Sequence, residues 1–261
     1  MNYVLKIQTL HERNTLFVGK VFLTFPTLPS TNTYALELLA REKPAEGTVI
    51  HAENQTEGRG QMGNHWLAAA GKNITLSVIV YPEFLPIRQQ FQLNEAIALA
   101  VRDCVAKYVE KPVIVKWPND VYIEERKVAG ILIQNTLSGA QIQSSVIGIG
   151  INVNQRDFAA DLPNPTSICL ENGATANLRE VIQTLLFAIE SRYLLLKQGH
   201  TQALHDEYIS HLYRFRQTAR YWCADGRLIS GQIIGVDSHG RLLLEHSGSI
   251  EAFDLKSIKP I

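Results

Sequence analysis

The chain has 261 residues, enough for one large core with a small satellite, and its 46% hydrophobic and 19% charged content is globular rather than disordered. Twenty-five basic and twenty-five acidic residues cancel, so charge points to neither a nucleic-acid-binding nor a membrane-surface protein. No stretch has the length of a membrane span, the start Met1-Asn2-Tyr3-Val4-Leu5-Lys6 lacks signal-peptide character, and Cys104, Cys169 and Cys223 form no CxxC pair; a cytoplasmic protein with buried, reduced thiols is expected.

Residues 1–16 show no clear period and read as an N-terminal extension. Phe17 to Phe25 is β-branched and aromatic, a strand expected to stop at Pro26 and Pro29. Ser30-Thr31-Asn32 offers N-cap chemistry for a helix through Ala35 and Leu39. Gly47 to Ala52 is a short strand, and Asn73 to Tyr81 alternates apolar and polar residues as a half-buried strand does. Apolar positions at helical spacing run through 88–109 (Phe91, Ala96, Leu99, Ala100, Val105), and Val113 to Val115 leads into a hairpin of Val121 to Ile123 and Val128 to Ile133. Gln141 to Val153 reads as another strand, placed either inside the sheet or at an edge where it could pair with a second copy. Asn177 with Glu180 has capping-box spacing before a helix to about Lys197. From Leu212 onward, short strands punctuated by Asp225-Gly226, His239-Gly240 and Ser247-Gly248 predict a small barrel of SH3-like size.

Two segments carry chemistry. In Gly58-Arg59-Gly60-Gln61-Met62-Gly63-Asn64-His65-Trp66, three glycines let a backbone turn tightly against a ligand, Arg59 can grip a carboxylate or phosphate, and Trp66 offers a flat face to a ring. Such a loop alone is also compatible with an ordinary turn. In Lys116-Trp117-Pro118-Asn119-Asp120, followed by Lys127-Val128-Ala129-Gly130, two lysines could share the charge of anionic substrates while Asp120 holds Mg²⁺ or orients Lys127. Asn152, after Gly148 and Gly150, stands at a strand end, as a cap or facing a nucleotide. No histidine pair has metal-ligand spacing.

In this order and spacing, Ser30–Asn32, Gln55, Gly58–Trp66, Lys116–Asp120, Lys127 through Gly130 and Gly148–Asn152 resemble the biotin protein ligases, over a span from about Phe17 to the C-terminus. The resemblance implies an α/β (α+β) fold: a mixed-sheet catalytic domain of the class II aminoacyl-tRNA synthetase type at 17–211, and an SH3-like β-barrel at 212–261. It implies ATP-dependent conversion of biotin to biotinyl-5′-AMP, then transfer to a lysine of a biotin carboxyl carrier domain. ATP with Mg²⁺ would be used, with biotin as substrate and no tightly bound prosthetic group. Ser30, Thr31, Asn32 and Gln55 would meet the ureido head of biotin. Gly58, Arg59, Gly60 and Gln61, with Gly130, would lie along its tail and the phosphate. Lys127, Arg59 and Asp120 would act on the reacting groups, and Trp66, Lys116, Asn119, Asp120 and Asn152 would line the nucleotide side, with Asp120 toward Mg²⁺.

The chain departs from the common GRGRxGR loop of these ligases, because Gln61 and Asn64 stand where arginines are usual. About sixteen residues before the first strand are too few for the DNA-binding domain that some relatives carry. A lipoate or octanoate ligase and a non-catalytic biotin sensor are the alternative readings. The retained Lys127 and Asp120 weigh against the sensor, and the pairing of the two motifs weighs against the fatty-acyl ligases. The sequence leaves monomer and homodimer both open.

Overall fold

The computed structural model describes residues 6–7 and 15–261. In chain order these form β1 (Lys6–Ile7), β2 (Phe22–Leu28), α1 (Thr31–Arg41), β3 (Val49–Gln55), β4 (Ile74–Val80), α2 (Phe91–Ala106), β5 (Val113–Lys116), β6 (Asp120–Ile123), β7 (Arg126–Ser138) and β8 (Gln141–Ile151). Then come α3 (Ile168–Asn172), α4 (Leu178–Lys197), α5 (Thr201–Ser210), β9 (Thr218–Cys223), β10 (Leu228–Val236), β11 (Leu242–His246), β12 (Ser249–Phe253) and β13 (Ile258–Pro260). The first eight strands make one mixed sheet in the order β1-β2-β3-β4-β8-β7-β6-β5. Only β2 and β3 are parallel, and α1 is the crossover between them. The last five strands make an antiparallel sheet, β12-β11-β10-β9-β13, matching the expected SH3-like C-terminal unit.

Helix α1 covers one face of the large sheet through Phe25, Leu28, Ala35, Leu38, Ile50, Ala52, Ile79 and Val146. Helices α2 and α4 cover the other, where the main core is continuous from Val18 to Ile258. Both faces of β4 are therefore covered, and all seven of its residues are buried, not half of them. Its alternation survives in another form. Ile74, Leu76, Val78 and Val80 join the main core, while the hydroxyls of Thr75 and Ser77 bond Ala52, Thr31 and Asn32 on the α1 side. Period-two polarity here marks a polar interior rather than solvent.

Other elements move from their predicted bounds for physical reasons. Strand β2 begins five residues late and passes through the exposed Pro26; β1 reaches only Leu23 and Thr24, so the missing N–H faces no partner strand among the described residues. Strand β8 lies between β4 and β7, so the interior placement holds and the edge placement does not. The free side of β5 is met by the descending chain, with Val115 N donating to His211 O and Tyr213 N to Val115 O. Asn177 caps α4 by accepting from Arg179 N at 3.0 Å, but its amide donates to Glu180 instead of Glu180 reaching back. Helix α5, unassigned from pattern, is amphipathic through only Leu204 and Tyr208. Most of the segment expected as an extension lies outside the described residues. Its end is anchored: the buried Glu190 accepts from the backbone N–H groups of Leu16, Phe17 and Val18 at 2.6, 2.7 and 2.9 Å.

Glu95 of α2 is also buried and meets His205 Nδ1 of α5 at 2.8 Å. That hydrogen bond holds the imidazole above its ordinary value of 6.5. Because the folded value is the higher one, the stabilisation is complete below pH 6.5 and fades as pH rises through the raised folded value. The gap in melting temperature between wild type and His205→Gln is expected to narrow between about pH 5.5 and about pH 8.5. A gap independent of pH would show that the charged pair contributes nothing.

Candidate active site

A cavity of about 210 Å³ opens where the C-terminal end of β3 and the N-terminal end of β6 meet the N-terminus of α1. Its floor is backbone. Gly130 and Gly150 face each other across β7 and β8, and Gly148 lies two residues along the same face. A Cβ on Gly150 would stand 2.5 Å from Trp66 Nε1, and one on Gly130 3.1 Å from Trp66 Cζ3, so these glycines form the slot that seats the indole. A Cβ on Gly148 would stand 2.8 Å from Asn32 Cγ.

One end of the cavity is a neutral hydrogen-bonding cluster. Ser30 caps α1, which aims the next two side chains inward. The carboxamide oxygen of Gln55 accepts from Thr31 N at 2.7 Å and Thr31 Oγ1 at 3.1 Å. Ser77 Oγ lies 2.7 Å from Thr31 Oγ1 and donates to Asn32 Oδ1 at 2.6 Å. The Asn32 amide donates to Leu132 O at 3.2 Å and Gln134 Oε1 at 2.9 Å. Every member presents both donors and acceptors, and none carries charge.

The other end is cationic. Lys127 Nζ is 2.7 Å from Asp120 Oδ1 and 5.8 Å from the centre of the Trp66 ring. Arg59 and Lys256 also line the cavity, and Asp120 is the single carboxylate among the described lining residues. The position of Lys127 is fixed through its backbone, which donates to Asn164 O and accepts from Thr166 N, both at 2.8 Å. Segment 164–166 is held in turn by Glu171, which accepts from Thr166 Oγ1 and pairs with Arg126 and Lys111 at 2.8 and 3.0 Å.

The glycine loop is a ribbon and not an open cradle. Gly60 N donates to Asn64 O at 2.7 Å, Asn64 N to Gln61 O, and Trp66 N to Gly58 O at 2.9 Å, so these three N–H groups are engaged within the loop. Arg59, Gly60, Gln61, Asn64, His65 and Trp66 face the cavity, whereas Gly58 supports the ribbon from behind.

The two motifs and the helix cap thus converge: Ser30, Thr31, Asn32, Gln55, Arg59, Gly60, Gln61, Trp66, Asn119, Asp120, Lys127 and Gly130 share one cavity. The Asn119 amide also donates to Ile131 O at 2.5 Å, locking the turn to β7. Lys116 points into a neighbouring cleft, where its ammonium meets Tyr122 Oη at 3.0 Å and burial lowers its pKa. Asn152 lies behind the wall and donates to Thr166 O at 3.0 Å. Its buried Oδ1, like Trp66 Nε1, has no protein partner.

Pattern reading missed Ser77, Gln134 and Lys256. The polar positions of β4 hinted at Ser77. Nothing local points to Lys256, whose loop reaches the cavity only through the packing of the second sheet.

A neutral recognition cluster, a cationic centre and a single carboxylate in one cavity of a mixed sheet define a ligase site built to join two anions. The model of the biotin/lipoate A/B protein ligase family matches residues 24–152. The chain is 32% identical to the bifunctional ligase/repressor BirA of Bacillus subtilis, over 90% of this chain and 72% of that one. It is likewise 32% identical to the biotin–[acetyl-CoA-carboxylase] ligase of Mycobacterium tuberculosis, over 84% and 81%. The structure of the Aquifex aeolicus biotin protein ligase in complex with biotin and ATP superposes with a TM-score of 0.77 at 25% identity, covering 93% of this chain and 99% of that one. The chain belongs to the biotin protein ligases of this family.

Proposed function

We propose that the protein activates biotin with ATP, releasing pyrophosphate, and transfers the biotinyl group from biotinyl-5′-AMP to the ε-amine of a lysine on a biotin carboxyl carrier domain. The observation that carries this reading is the division of one cavity into an uncharged end and a cationic end. The ureido ring of biotin is neutral and both donates and accepts, which suits Ser30, Thr31, Asn32, Gln55 and Ser77. Its carboxylate must reach the α-phosphorus of ATP although both are anionic. Lys127 and Arg59, with Lys256 lining the same cavity, offset that repulsion and stabilise the charge on the transferring phosphoryl oxygens.

The buried Trp66 Nε1 has no partner and can donate to an acceptor edge of a base, so adenine is assigned beside the indole. Mg²⁺ bound mainly through nucleotide phosphates needs only one or two protein carboxylates, and Asp120 supplies one. On binding, the ion would screen the triphosphate; orienting Lys127 is the work of Asp120 itself. The ribbon 58–66 shields the mixed anhydride from water until the carrier amine attacks its carbonyl carbon, forming the amide and releasing AMP. Residues 17–211 would carry this chemistry, with 212–261 closing one wall.

Purified protein is expected to exchange labelled pyrophosphate into ATP only when biotin is present. Exchange driven by lipoate or octanoate and not by biotin would overturn the biotin assignment. No helix of the described residues is long and apolar enough to cross a membrane.

Gln61 lines the cavity where its relatives commonly carry arginine. Gln61→Arg adds a charge-assisted contact to the adenylate phosphate and should slow release of biotinyl-AMP by about tenfold. Equal release rates in wild type and variant would show that this position does not hold the phosphate.

A further inference from the structure

Glu171 lies outside the reaction cavity, on the short helix α3, and its side chain is inaccessible to solvent. One carboxylate oxygen accepts from Thr166 Oγ1, the other from Arg126 Nη2 at 2.8 Å and Lys111 Nζ at 3.0 Å. Two of these three partners flank Lys127. Arg126 precedes it and opens β7. Thr166 reaches it from a different part of the chain: Lys127 N donates to Asn164 O and Thr166 N to Lys127 O, both at 2.8 Å. From 152 to 167 the chain forms neither helix nor strand, beyond the single bridge between Pro165 and Lys127. Glu171 is therefore the side chain that ties this irregular segment and the start of β7 to one point.

A buried ion pair is a poor way to gain stability, because desolvation offsets much of the attraction, and apolar packing would serve a plain structural tie as well. What a charged, three-partner contact does supply is a fixed geometry. We propose that Glu171 is a positioning residue of the reaction, holding Arg126 and Thr166 so that Lys127 is aimed at the reacting groups; the inference rests on the adenylation reading above. Glu171 touches no substrate and acts only through the backbone of residue 127. The lever is long. A backbone tilt of about 10–20° carries the amine at the end of a lysine side chain about 1 Å or more, beyond the roughly 0.5 Å within which a catalytic group works well. Lys127 Nζ has one ion-pair partner, Asp120, and 30% of its side chain remains accessible, so its direction depends on where its backbone points. The same clamp fixes the Thr166 carbonyl that accepts from Asn152 Nδ2 at 3.0 Å.

The test separates aim from stability. At a temperature where every variant is folded, Glu171→Gln is expected to lower kcat of biotin-dependent pyrophosphate exchange by about tenfold to a hundredfold, with the KM for biotin changed by less than about twofold. Thr166→Val removes the hydroxyl at nearly constant volume and should lower kcat about threefold to tenfold; Thr166→Ser restores the hydroxyl and should return kcat to within about twofold of wild type. In a Lys127→Ala background, Glu171→Gln should cost less than about twofold further, because the group it aims is gone. Equal losses with and without Lys127 overturn the proposal, and so does an unchanged kcat or a rise in biotin KM alone. Should Glu171→Gln misfold, Thr166→Val carries the same comparison. Acylation of Lys127 by acetic anhydride, read by mass spectrometry, distinguishes this failure from failure of the adenylation reading. Freed from Asp120, the amine should react about threefold faster in Glu171→Gln. That rise without biotin-dependent exchange in wild type keeps the clamp and removes the ligase reading. Exchange with neither kcat nor acylation altered keeps the ligase and removes the clamp.

Discussion

Lys127→Ala is expected to lower biotin-dependent pyrophosphate exchange by about a thousandfold, the scale on which a transition state loses one aimed electrostatic group. Lys127 lies in the cationic end of the cavity, 2.7 Å from Asp120 and beside the Trp66 ring. Its amine is therefore already positioned before any substrate arrives, and little reorganisation is needed as charge develops. The variant should fold, because the backbone of residue 127 holds its place through Asn164 and Thr166, not through the side chain. Asp120 would lose its partner but remains partly exposed, with 21% of its side chain accessible, and can be solvated. Transfer from supplied biotinyl-AMP should fall less than exchange, because the aminolysis step starts from an adenylate whose phosphate carries less charge than the triphosphate. Exchange within about threefold of wild type would remove Lys127 from the chemistry.

Gly148→Ala should weaken biotin binding by about tenfold to a hundredfold, since overpacking a close-packed site costs about 1–3 kcal/mol. The φ at this position suits any residue, so the effect comes from space alone. The new methyl would stand 2.8 Å from Asn32 Cγ and 3.0 Å from its Nδ2. Asn32 has nowhere to retreat: its amide is held by Leu132 O and Gln134, and its Oδ1 by Ser77. The substitution therefore pushes the whole neutral cluster inward, into the room the biotin head needs. Titration of biotin by calorimetry, with ATP affinity as the reference, checks this. Unchanged biotin affinity in a folded variant would mean that the Asn32 cluster is not the recognition end.

The chemistry of this protein was legible where the chain itself brings reactive residues close together. Lys116 through Gly130 spans a hairpin, so Asp120 and Lys127 meet because β6 and β7 pair across a tight turn. Ser30 likewise declares itself, because a helix needs an N-cap whatever packs around it. The alternation of β4 was legible as a strand but misleading about its surroundings, because period two distinguishes two faces without saying what covers them.

Sequence by itself determined the strands and main helices, the paired motifs, the unlike ends of the site and the family to which they point. All are local in origin: backbone preferences, short-range caps and turns, and the fixed chemistry of side chains. Only the tertiary structure decided that the glycine loop closes as a ribbon, that Ser77 and Gln134 join the neutral end, and that Asn152 stands behind the wall. It also decided that Lys256, far away in sequence, brings a positive charge to the same cavity. These depend on which surfaces pack together. That choice is set by the burial of the whole core and leaves no signature in the few residues it brings into contact.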